Sequence, residues 1–163
     1  MAVPTVIPGI EAVKDFLGKP LGPSDWVEVT QERINLFADA TDDHQWIHTD
    51  PERARRESPF GGPVAHGYLT LALAPTLLTQ ILRIEGSSTI LNTGLSRLKL
   101  SAPVPAGSRV RLRCEISRAR EMPGGALRAV IKLAIEVEGS AKPALTADVG
   151  LVYTRTDTRE ELA

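Results

Sequence analysis

The chain has 163 residues, of which 42% are hydrophobic and 24% charged, and its formal net charge is −1. This is a globular composition, long enough for one ordinary domain with a substantial core. The near-neutral balance, without a basic stripe of interleaved aromatics, excludes a nucleic-acid partner.

The N-terminus M-A-V-P-T-V-I-P has neither a basic start nor a long apolar region, so no signal peptide is read there and a cytoplasmic protein is expected. Ile10, Val13, Phe16 and Leu17 follow helical spacing, with Gly18 and Pro20 as the stop. Trp26, Val27 and Val29 suggest a short strand. Thr30 can cap a second helix with Glu32 in its first turn, and Ile34, Phe37 and Ala38 form its apolar face. Thr41 to His48 reads as a loop. Asp50-Pro51-Glu52 is a helix start, a capping carboxylate followed by a proline whose missing N–H is harmless there, and this short helix should end near Ser58. Pro59, Gly61, Gly62 and Pro63 then force an irregular connection.

From Gly67 to Arg83 the pattern predicts one long helix, apolar nearly all round, kinked by Pro75 and covered on most sides. Ser58 to Leu82 contains no Lys, Arg, Asp or Glu, yet its apolar part is too short, and is interrupted by Pro75, for a membrane span of ~20 residues. From Ser87 onward the period changes to two. Leu91 to Leu100, Arg109 to Arg118, Leu127 to Val137 and Leu145 to Tyr153 read as strands, with turns at 103–107, 123–125 and 139–140. Cys114 is the only cysteine, so an internal disulfide is impossible; its alternation with Leu112 and Ile116 marks a core thiol. Helices followed by antiparallel strands indicate a single α+β domain over 1–163, with the sheet wrapped around the long apolar helix and a polar tail from 154 to 163.

The chemistry-bearing residues concentrate between Phe37 and Gly67. Asp43 and His48 lie five positions apart where helix gives way to loop, and Gly67 opens the uncharged helix. A carboxylate, an imidazole and a helix-start N–H can together add water to a thioester or remove it. Each has a plainer reading: Asp43 as a loop or capping carboxylate, His48 as a satisfied buried histidine, Gly67 as a helix-start glycine. His66 can orient the loop through a side-chain hydrogen bond, and His44 reads as a loop residue. All three histidines fall between 44 and 66. His44, His48 and Asp43 could in principle bind zinc, but no H-E-x-x-H pattern exists and no metal is expected. There is no G-x-S-x-G elbow, and the glycines at 61, 62 and 67 do not follow a strand in dinucleotide-binding spacing.

The run Thr41-Asp42-Asp43-His44-Gln45-Trp46-Ile47-His48, with the later His66-Gly67, resembles the MaoC-like, or R-specific enoyl-CoA hydratase, family of the hot-dog fold. The resemblance extends roughly from Leu21 to Tyr153, and the D-H-Q-W-I-H form is similar to a subgroup holding mycobacterial hydratases and nodulation protein N-like proteins. It implies a hot-dog domain in a homodimer joined sheet edge to edge, and hydration of trans-2-enoyl-CoA to (R)-3-hydroxyacyl-CoA. Asp43 and His48 would activate water, and the Gly67 N–H would hold the thioester oxygen. Gln45, Trp46, Phe60 and His66 would border the substrate, with Trp46 shaping the acyl pocket or stapling the loop. No cofactor is implied beyond the coenzyme A carried by the substrate, and no nucleic-acid or membrane partner. Arg97, Lys99, Arg111 and Arg113 are candidates for coenzyme A phosphates or for a solvated sheet face. Three positions depart from the commonest motif: Asp42 stands for Gly, Gln45 for Asn and Trp46 for Pro. Asp42 is expected to face solvent; turned toward the site it would raise the pKa of Asp43. The alternatives are dehydration of a 3-hydroxyacyl group on a carrier protein, a thioesterase, and a non-catalytic acyl-thioester binding subunit.

Overall fold

The computed structural model describes residues 1–155. Most of the polar tail expected at 154–163 lies outside the described residues. The chain opens with β1 (Thr5–Ile7) and a 3-10 helix at Ile10–Phe16. An ordinary helix was expected there. The segment has no side-chain cap at Gly9, and Leu17 is drawn at once into a bridge with Ile116. The tighter form suits such a short connector. β2 (Pro20–Leu21) and β3 (Val27–Glu28) follow.

Capping chemistry sets the next helices. In α1 (Gln31–Thr41) the Thr30 hydroxyl accepts the Arg33 N–H at 3.1 Å, and Ile34 and Ala38 are buried. α2 (Trp46–Thr49) is one short turn inside the stretch read as loop, closed by the His48 N–H on the Gln45 carbonyl at 2.9 Å. In α3 (Pro51–Glu57) the Asp50 carboxylate accepts the Arg53 N–H at 2.9 Å. Such a cap contributes about 1 kcal/mol.

The long helix expected over 67–83 is instead two short ones, α4 (Gly67–Ala72) and α5 (Ala74–Thr79), followed by β4 (Leu82–Ile84). Pro75 has no N–H to give the Leu71 carbonyl, so the ladder is interrupted there. The last turn is lost because β4 pairs in parallel with β1, placing Leu82 and Ile84 in the core. Cover is also less than expected. Leu69, Leu77 and Leu78 are buried, whereas Tyr68 is 70% exposed.

The large sheet has six strands in the order β2-β6-β7-β8-β5, with β3 also on β6, and its pairings are antiparallel. Its long members are β5 (Ser87–Leu100), β6 (Arg109–Glu121), β7 (Leu127–Val137) and β8 (Leu145–Arg155). Period-two alternation sends Leu112 and Ile116 of β6, Ile131 and Ile135 of β7, and Leu145 and Leu151 of β8 to the helix side, all buried. Each such aliphatic side chain contributes about 1.5–3 kcal/mol. Cys114 belongs to this face, and burial pushes its thiol pKa up to about 12.

The opposite face is polar. Arg109 pairs with Glu138, Arg111 and Arg113 with Glu136, Lys132 with Glu115, and Arg97 with Asp148. Three of the four cations weighed for coenzyme A phosphates, Arg97, Arg111 and Arg113, thus already have carboxylate partners. The edge strand β5 is exposed along nearly its whole length, including Ile90, Leu91 and Leu95. No helix among the described residues is long and apolar enough to cross a membrane.

Candidate active site

The site forms where the α1–α2 connection meets the start of α4. Asp42 ends α1 with φ +57, in the left-handed region. Glycine is most at ease there, and Asp and Asn tolerate it best among the other residues. This explains how Asp42 can stand where the motif usually has Gly. Asp42 is exposed, as expected.

The left-handed turn redirects the chain so that α2 carries His48 inward, and His48 is 8% exposed. Its Nδ1 lies 2.6 Å from the Val64 carbonyl oxygen. A carbonyl only accepts, so Nδ1 carries the proton and Nε2 keeps a lone pair. Val64 is itself fixed, its N–H donating to the Ile47 carbonyl at 3.1 Å. Burial lowers the His48 pKa below the ordinary imidazole value of 6.5; the bond to Val64 opposes this, proximity to His66 adds to it, and the Asp43 carboxylate opposes it.

His66 precedes α4 and is 2% exposed. Its ring stacks on His48 with centroids 3.9 Å apart, and Phe37 packs against it at 5.0 Å. His66 Nε2 donates to the backbone carbonyl of Asp43 at 2.9 Å, the loop-orienting bond anticipated from sequence. Its Nδ1 is buried without a partner. An orphaned buried polar atom costs about 1–3 kcal/mol.

The Asp43 side chain is half exposed, with Oδ2 4.0 Å from His66 Nε2. Asp43, His48 and His66 each offer one potential metal-ligand atom within 4.8 Å of the others. His44, which the sequence grouped with them, instead faces Asp39 at 3.8 Å. Both buried imidazoles commit one ring nitrogen to a carbonyl, which leaves His48 Nε2 and His66 Nδ1 with their lone pairs, and of the two residues His48 lines the adjoining cavity.

A cavity of about 340 Å³ adjoins this group, lined among others by His48, Phe60, Gly67, Thr70 and Leu100. Gly67 is the first residue of α4, so its N–H has no acceptor within the helix. A Cβ on Gly67 would meet Leu100 Cδ1 at 2.6 Å. Of the residues expected to border substrate, Phe60 lines this cavity and His66 lies behind His48. Gln45 and Trp46 are not among its lining residues. Gln45 is exposed, and Trp46 packs beneath the Arg53 guanidinium, 4.4 Å from the ring centroid. A second, apolar cavity of about 480 Å³ lies between α5 and the sheet, bordered by Leu71, Pro75, Leu78, Leu133, Leu151 and Tyr153.

Sequence reasoning missed two contributors. Gln31 donates from Nε2 to the His48 carbonyl at 2.6 Å, but in sequence it is only the first residue of a capped helix. The Val64 carbonyl is backbone, and no residue type announces it.

The chain belongs to the MaoC-like domain family, whose model matches residues 13–137. It is 50% identical over 141 residues to 3-hydroxyacyl-thioester dehydratase Z of Mycobacterium tuberculosis, covering 85% of this chain and 93% of that protein. It is 44% identical over 137 residues to nodulation protein N of Rhizobium leguminosarum, covering 83% and 85%. Its hot-dog fold is shared with the (R)-hydratase from A. caviae involved in PHA biosynthesis, at a TM-score of 0.67 and 24% identity over 83% of this chain and 94% of that one.

Proposed function

We propose that the protein catalyses the reversible hydration of trans-2-enoyl-CoA to (R)-3-hydroxyacyl-CoA. The observation that carries this reading is buried His48, its Nδ1 committed to Val64 and its Nε2 left bare, with a ring nitrogen within 4.8 Å of the Asp43 carboxylate and its side chain on a cavity that Gly67 also lines. The relative named as a 3-hydroxyacyl-thioester dehydratase supports the reaction class.

In the hydration direction, water is held by Asp43 and His48. Its oxygen bonds to the β-carbon as the pair takes one of its protons. The alkene electrons move toward the thioester oxygen, where the Gly67 N–H donates to the developing enolate. Collapse of the enolate draws a proton from the pair onto the α-carbon. One water is added and both residues return to their starting states. The two groups act as one coupled unit, so the acid and base roles are assigned to the pair. No metal or redox group enters this scheme.

The apolar cavity between α5 and the sheet is suited to the acyl chain, because it offers aliphatic walls and few polar groups. Ile90 and Leu95 of exposed β5 border it as well. A second copy pairing along β5 would both cover that edge and close the cavity, which supports a homodimer.

The test follows the loss of enoyl-thioester absorbance with crotonyl-CoA and with crotonyl-acyl carrier protein, the product being read by an R-specific dehydrogenase. Turnover of crotonyl-CoA to the R product is expected, with a loss of about 10²–10⁴-fold in Asp43→Asn and His48→Ala. Turnover of the carrier-protein substrate alone would replace the proposed carrier. Binding of enoyl-CoA without turnover would assign a non-catalytic role.

A further inference from the structure

We infer that Gln31 and His66 are a pair of positioning residues that clamp the two ends of the Asp43–His48 segment from outside it. Each donates one side-chain hydrogen bond to a backbone carbonyl of that segment: His66 Nε2 to Asp43 at 2.9 Å, and Gln31 Nε2 to His48 at 2.6 Å. The donors come from different elements, Gln31 from the first turn of α1 and His66 from the residue before α4. The clamped segment has little regular structure of its own. It runs from the left-handed residue Asp42 into the single turn of α2.

Each side chain of the clamp also has a buried polar atom left unused. Gln31 Oε1 and His66 Nδ1 are the buried side-chain nitrogen or oxygen atoms among the described residues that have no hydrogen-bond partner. They belong to the two side chains that hold the segment. Orphaned buried acceptors oppose folding, and such strain persists where the surrounding structure gains from the geometry it enforces. A hydrophobic residue in either place would avoid the penalty and lose the donor. The chain keeps both donors at the two carbonyls flanking the proton-transfer groups.

His66 does more than tether. Its ring is held between Phe37 and His48, so the plane of the His48 imidazole is set by stacking on one side and by the Val64 bond at its edge. His66 is also joined directly to Gly67. One residue therefore ties the position of the carboxylate loop to the position of the N–H at the start of α4. Misplacement of reacting groups by about 1 Å costs on the order of 10²-fold in rate.

The kinetic part of the test rests on the hydratase reading; hydrogen–deuterium exchange does not. His66→Leu and Gln31→Met keep volume and remove the donor, whereas His66→Gln returns an N–H near the position of Nε2. Exchange of the amides from 43 to 50 is expected to rise in His66→Leu and Gln31→Met, and to return toward wild type in His66→Gln. On crotonyl-CoA, kcat should fall about 10–100-fold in the donor-less variants with KM within about threefold, and His66→Gln should recover most of it. Because both bonds restrain one segment, the double variant should lose less than the product of the single losses. Wild-type exchange and wild-type kcat in both donor-less variants would overturn the clamp. Equal loss in His66→Gln and His66→Leu would also overturn it, since shape and not the donor would then be responsible. If wild type turns over no enoyl thioester, the hydratase reading fails while the exchange comparison still decides the clamp.

Discussion

The Nδ1–H of His48 donates to the Val64 carbonyl at 2.6 Å, and this bond determines which ring nitrogen keeps its lone pair. Val64 lies on the segment leading into α4, so the imidazole is oriented by the same stretch of chain that delivers Gly67. Burial keeps the ring neutral by lowering its pKa below 6.5. If the neutral ring is required, the acid limb of the kcat/KM profile should lie below pH 6.5. The stability consequence has the same sign. Below pH 6.5 the unfolded chain binds the proton that the folded ring resists, so His48 favours the unfolded state increasingly as pH falls toward its folded pKa. Urea unfolding from pH 7 to pH 5 should therefore cost wild type more stability than His48→Gln.

Gly67 and Leu100 meet so closely that an added Cβ would fall 2.6 Å from Leu100 Cδ1. Leu100 is 57% exposed and can swing away, so Gly67→Ala is expected to fold with a thermal midpoint within a few degrees of wild type. Crotonyl-CoA hydration should nonetheless fall by at least about 10-fold, since the methyl group projects beside the N–H proposed to hold the thioester oxygen. Wild-type kcat in this variant would show that substrate approach does not need the space a Cβ would take beside the Gly67 N–H.

Asp42 sits at φ +57 at the end of α1. Replacing it by glycine removes the steric penalty of the left-handed conformation, and the carboxylate that is lost is exposed. Asp42→Gly should be neutral or stabilising by up to about 1 kcal/mol, a rise of roughly 2–4 °C in Tm by calorimetry. A fall in Tm would mean that the carboxylate contributes more than the backbone strain costs.

The exposed Ile90 and Leu95 of β5 border the apolar cavity. Sedimentation velocity should find wild type at twice the chain mass, and the double variant Ile90→Arg, Leu95→Arg as monomer with reduced activity on longer acyl chains. Independently, Leu71→Trp should fill part of the cavity and lower kcat/KM for octenoyl-CoA at least about 10-fold more than for crotonyl-CoA. Equal effects on the two substrates would place the acyl chain elsewhere.

The buried Cys114 thiol, with its pKa raised to about 12 by desolvation, should resist Ellman's reagent in the folded protein at pH 8 and react fully in urea. Rapid reaction of the native protein would show that the sheet opens at β6. Added EDTA should leave turnover unchanged if the proposed proton relay works without a metal; loss of turnover would place an ion on Asp43, His48 and His66.

Local chemistry made several elements legible in the sequence. Thr30 and Asp50 announced their helices because a cap needs only a side-chain oxygen and an N–H a few residues on. The strands of β6, β7 and β8 were readable because one buried face imposes strict alternation. The spacing of Asp43, His48 and Gly67 pointed to a candidate site because the residue types themselves are the signal. Tertiary structure decided the rest. Pro75 marked a disturbance, but only the parallel pairing of β4 with β1 ended the helix before Arg83. The α2 turn depends on packing rather than on propensity. The roles of Gln31 and Val64 depend on backbone carbonyls brought together across 17 and 16 positions, and any residue supplies a carbonyl. Sequence thus determined which groups can move protons; the folded chain alone decided which nitrogen of His48 is free, because that is set by a contact between segments.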